Sequence, residues 1–123
     1  MKLTIFKKFL AVVALGLFSQ LAMANAASTV AGILIDVNHF PSDAQKEQLM
    51  AISNDSTNSD AIRTIATAVH DMQHSVSDAH RAALHAIAVD YYASEAEREL
   101  ARIVAGFNHM AGDADKERLA AIQ

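Results

Sequence analysis

The sequence predicts an all-α fold made of three tandem 35-residue helical hairpins, six short helices in all, that form one compact domain or a short α-solenoid. The prediction rests on an ungapped internal repeat, on apolar residues at helical spacing inside each copy, and on cap residues that recur in register. Displaced by 35 residues, the segment Asn38-His39-Phe40-Pro41-Ser42-Asp43-Ala44 falls on Gln73-His74-Ser75-Val76-Ser77-Asp78-Ala79 and then on Asn108-His109-Met110-Ala111-Gly112-Asp113-Ala114. The register continues through Lys46, Arg81 and Lys116, through Leu49, Leu84 and Leu119, and through Ile52, Ile87 and Ile122.

The chain opens on Lys2, Lys7 and Lys8, followed by the apolar run Phe9 to Leu21 and by small residues around Ala22-Met23-Ala24 and Ala24-Asn25-Ala26. That order is the pattern of a cleavable secretory signal peptide of bacterial type, and the run is shorter than the roughly 17 to 25 residues a spanning helix needs. We therefore expect a signal peptide at 1–24, a three-repeat helical domain at 25–123 with copies at 25–59, 60–94 and 95–123, and a periplasmic or secreted destination. No transmembrane segment is expected after cleavage.

The first helix of each copy is read from Val30, Ile33, Leu34 and Val37, which match Ile65, Ala68, Val69 and Met72, and then Leu100, Ile103, Val104 and Phe107. Spacing of i, i+3, i+4 and i+7 puts each set on one face of a helix. Ser59 and Ser94 are N-cap residues, the latter with Glu97 three residues on as a capping box, and Ala24 holds the matching position in the first copy. The second helix follows Ser42, Ser77 or Gly112, with Asp43, Asp78 and Asp113 in its first turn, where a carboxylate favours the positive end of the dipole. Ser42 with Gln45 forms another capping box, and Pro41 stops the helix before it. The expected helices are 26–37, 43–53, 60–72, 78–89, 95–107 and 113–122. Short polar linkers such as Asn54-Asp55-Ser56-Thr57-Asn58 make successive helices antiparallel neighbours. The unit length falls in the range of tetratricopeptide-like hairpins, but the Trp, Leu-Gly and Tyr positions of that pattern are absent, so the analogy is one of architecture only.

Composition removes several classes of function. The chain has no cysteine, hence no disulfide, no lipidated cysteine and no thiolate metal site. Of its ten basic residues three lie in the leader, leaving seven against fourteen acidic ones, a balance that repels nucleic acid. Beyond the leader the only aromatic residues are Phe40, Tyr91, Tyr92 and Phe107, and alanine dominates the apolar set, so the helices must pack through small side chains.

The repeated turn [Asn/Gln]-His-x-x-[Ser/Gly]-Asp-Ala brings His39, His74 and His109 into register. As structure, the Asn tolerates the left-handed conformation at a helix end and the His bonds the last free carbonyls. As chemistry, the same imidazoles suit zinc, copper or nickel. Geometry separates the two readings. In an open solenoid equivalent atoms lie on the order of 16–20 Å apart at two helix spacings, too far for metal–nitrogen bonds of about 2 Å. Only a closed three-repeat arrangement can join the three rings. A local alternative uses His70 with His74, four residues apart, with Asp71 or a neighbouring residue as a further ligand; His80 and His85 are five apart and project differently.

No enzyme is expected. Ser75 beside His74 and the carboxylates Glu95, Glu97 and Glu99 lack any oxyanion or leaving-group site. Met50, Met72 and Met110 read as core filling. Tyr91 and Tyr92 interrupt a polar linker and suit a partner interface, or else one ring covers the small core. The leading expectation is an exported, non-catalytic module that binds a protein or peptide of the cell envelope and carries no cofactor. A small periplasmic metal-binding protein using the turn histidines comes second, and a stress-related protein that holds unfolded clients third.

Overall fold

The computed structural model describes residues 26–123; the signal-peptide expectation and the Ala24 cap position lie outside the described residues. Among the described residues six helices follow one another: α1 at 26–36, α2 at Asp43–Asn54, α3 at Asp60–Asp71, α4 at Asp78–Ala88, α5 at Glu95–Ala105 and α6 at Asp113–Ile122. The described residues are all-α, and the starts of α2, α4 and α6, like those of α3 and α5, keep the 35-residue spacing of the repeat. Side-chain caps form as expected at Ser42, Ser59, Ser77 and Ser94, with complete capping boxes at Ser42–Gln45 and Ser94–Glu97. Gly112 caps α6 without a side-chain bond.

Helices α1, α3 and α5 stop one or two residues earlier than expected, because the last apolar residue of each periodic set leaves the helix. Met72 is extended at φ −72° and ψ 144° yet remains buried. Periodicity reports burial, and burial here outlasts helical geometry.

The helices form two layers. The odd-numbered helices supply most of the core, through Val30, Ile65 and Leu100 and through Leu34, Val69 and Val104, all fully buried. Between them lie Ala31, Ala66 and Ala101, also fully buried, whose small side chains let the three inner helices approach closely. The even-numbered helices lie outside and are held chiefly by Leu49, Leu84 and Leu119, one equivalent leucine in each copy. One continuous hydrophobic cluster joins all three copies.

The array is closed. At one end of the inner helices the backbone N–H of His39 donates to the carbonyl of His109 at 2.5 Å, that of His74 to His39 at 2.7 Å and that of His109 to His74 at 2.6 Å. At the other end the Ser59 hydroxyl, cap of α3, donates to the Glu97 carboxylate, which also closes the cap of α5. The Ser28 hydroxyl of α1 reaches the carbonyl of Gln123 beyond α6 at 3.5 Å. Gly32 lies there too, where a Cβ would stand 2.7 Å from the mobile end of the Gln123 side chain and displace it. Of the two expected arrangements, compact domain and open solenoid, the chain takes the compact one. Among the described residues no helix is long and apolar enough to cross a membrane.

Candidate metal centre

Each turn histidine is pinned between two buried anchors two residues away: Val37 and Pro41 flank His39, Met72 and Val76 flank His74, and Phe107 and Ala111 flank His109. The chain must reverse between these anchors within a few residues. It does so by placing the histidine itself in the left-handed region, with φ of 76°, 68° and 69° at His39, His74 and His109; no other non-glycine residue among those described has positive φ. In two of the turns the N–H two residues on closes back across the histidine, from Ser75 to Gln73 at 2.7 Å and from Met110 to Asn108 at 2.8 Å, which makes a rare left-handed γ-turn. The left-handed conformation costs an L-residue about 1–2 kcal/mol. Contrary to the expected turn chemistry, the left-handed residue is the histidine rather than the Asn or Gln before it, and its N–H joins the inter-repeat ring instead of capping a helix.

Above that ring the three imidazoles cluster. Their centroids lie 5.1 Å apart for His39 and His74, 5.2 Å for His39 and His109, and 4.8 Å for His74 and His109. One ligand atom from each falls within 4.8 Å of the others, and all three residues are exposed. A tetrahedral ion with nitrogens at 2.0–2.1 Å requires nitrogen pairs about 3.3 Å apart, a closure within reach of side-chain rotation.

The ring nitrogens are not equivalent. The side-chain amide oxygen Oδ1 of Asn38 lies 2.6 Å from Nδ1 of His39, and Oδ1 of Asn108 lies 2.6 Å from Nδ1 of His109. An amide oxygen only accepts, so both Nδ1 atoms carry the proton and both Nε2 lone pairs are free for a metal. In the middle copy, where Gln73 replaces asparagine, no such bond is formed. The inner helices α1, α3 and α5 all end at this face, each presenting the negative end of its dipole to the trio. The outer helices bring their positive ends to the same face, each offset by an exposed aspartate, Asp43, Asp78 or Asp113.

His70 does not join the trio. Its Nδ1 pairs with Asp71 at 2.7 Å, and the other oxygen of Asp71 lies 3.9 Å from Nε2 of His80. The expected His70–His74 pair is thereby replaced by a His70–Asp71–His80 cluster that reaches from α3 to α4. Tyr91 and Tyr92 are 87% and 93% exposed, so neither ring covers the core. They meet edge to face at 5.6 Å. Their turn is held by the Asp90 carboxylate, which accepts from the Tyr92 N–H, and by Arg98, which donates to the carbonyls of Asp90, Tyr91 and Ala93.

The repeat makes all three histidines legible in the sequence, but not the part that Asn38 and Asn108 play in orienting two of the rings. The recurring Asn/Gln was the available signal. Comparison with protein-family models, with curated proteins and with solved structures finds no match.

Proposed function

We propose that this protein binds a divalent transition metal, zinc, copper or nickel, through Nε2 of His39, His74 and His109. The observation that carries the reading is the convergence of three imidazoles, one from each copy, to within 4.8 Å on the closure of the array. Three supports accompany it: the Nδ1 bonds that leave Nε2 free, the inner-helix carbonyl ends that favour a cation, and the absence of cysteine, which leaves imidazole as the strongest ligand type in the chain. In the exported compartment that the leader predicts, such a protein serves metal binding or buffering.

Calorimetric titration with each ion, beside the variant His39→Asn, His74→Asn, His109→Asn, tests this. Asparagine is chosen because it tolerates positive φ. One ion per chain at micromolar affinity or tighter, lost in the variant, is expected. Absence of binding, or binding that persists in the variant, overturns the reading.

A second reading is an interaction module for a protein or peptide partner of the cell envelope. It is favoured by Val89, Tyr91 and Tyr92, all more than four-fifths exposed on a turn that Arg98 holds in place. Tyr91→Ser with Tyr92→Ser is expected to abolish capture of such a partner and to leave metal affinity unchanged.

A further inference from the structure

We propose that the three-histidine centre, when loaded with zinc, hydrolyses small uncharged carboxylic esters; the inference rests on the metal reading above and names what that site acts upon. Structural zinc sites are closed by four protein ligands, whereas three protein ligands leave a position for water. Among the described residues the group contains three histidines and no fourth His, Asp or Glu, and the chain has no cysteine to complete it. All three histidines are exposed, so solvent reaches the cluster. Three neutral ligands also leave the full double charge on the ion, which brings the pKa of its water down to about 7.

The chemistry needs no other co-reactant. The bound water gives one proton to solvent. The resulting hydroxide attacks the ester carbonyl carbon, a C–O bond forms, and the carbonyl electron pair moves to oxygen beside the ion. Collapse breaks the bond to the leaving alkoxide, which takes a proton from solvent, and water displaces the carboxylate product. Ester and water become acid and alcohol, with no change of oxidation state. The expectation of no catalysis followed from the lack of an oxyanion or leaving-group site; the ion supplies the charge that an oxyanion needs.

The substrate class follows from the surroundings. Phe40 and Met110, the residues after His39 and His109, are 55% and 50% exposed and put apolar surface on the same turns. Asp43, Asp78 and Asp113 at the same face disfavour anions.

The test measures zinc stoichiometry, hydrolysis of p-nitrophenyl acetate from pH 5 to 9, and the visible spectrum of the cobalt-substituted protein over the same range. We expect a rate about tenfold above equimolar free zinc, with its inflection and that of the cobalt spectrum together at about pH 7, both lost in His74→Asn. Stoichiometric zinc with a rate no better than free zinc and a cobalt spectrum that does not change with pH overturns the inference and leaves the metal reading standing. Failure to bind zinc removes both. A rate equal in His74→Asn and the parent protein also overturns it, since the reaction then occurs elsewhere.

Discussion

His39, His74 and His109 occupy a backbone conformation that costs about 1–2 kcal/mol each for an L-residue. Glycine removes that cost and adds back roughly 0.5–1 kcal/mol of chain entropy in the unfolded state. Each His→Gly substitution is therefore expected to leave the metal-free protein at least as stable, read as the thermal midpoint in chelator, while metal affinity is lost. A loss beyond about 1 kcal/mol per site would show instead that the imidazoles act as structural turn residues. Asn38 and Asn108 work at the same scale. Asn38→Ala and Asn108→Ala should each weaken metal binding about 10–100-fold by releasing the orientation of a ring, with little change in folding. Gln73→Ala, which breaks no such bond, should change it far less. The histidines were legible in the sequence because the repeat aligns them. The sign of φ was not, because it follows from two buried anchors four residues apart, a constraint that no local propensity encodes.

Helix ends carry the next set of consequences. Ser59 caps α3 and donates to the Glu97 carboxylate, which is buried at the far end of the inner helices. Ser59→Ala removes a cap and strips a hydrogen bond from a buried charge, so a loss of about 1–3 kcal/mol is expected in denaturant unfolding. The reverse applies at α6, where Gly112 has the extended cap geometry and open space around a Cβ. Gly112→Ser should stabilise by a few tenths to about 1 kcal/mol, by adding the cap its equivalents Ser42 and Ser77 already have and by stiffening the unfolded chain. The starts of α2 to α6 were legible to the residue, since the cap residues and the acidic residues after them state their positions chemically. The ends of α1, α3 and α5 were read one or two residues too long because Val37, Met72 and Phe107 keep the apolar periodicity after the helix has stopped.

At the scale of the molecule the metal ties three copies that share one core. Because the ligands come from all three hairpins, unfolding of any one releases the ion. Zinc at 100 times its dissociation constant should then add about 2.7 kcal/mol to global stability, seen as a rise in thermal midpoint that the single variant His74→Asn removes. The equivalent leucines test the unity of the core: Leu49→Ala, Leu84→Ala or Leu119→Ala should each cost about 2–5 kcal/mol and lower one shared unfolding transition. The sequence by itself determined the helices, their pairing into hairpins, the caps and the fact that His39, His74 and His109 are equivalent, because each is written in spacing and residue type within one copy. Only the tertiary structure decided that the copies close on one another, and with that whether the histidines meet. An open and a closed array share the same local pattern. The angle between hairpins is set by side-chain packing across copies, through Ala31, Ala66 and Ala101 at the inner contacts and the ring of backbone bonds at the turns, a sum over residues that no single stretch of chain contains.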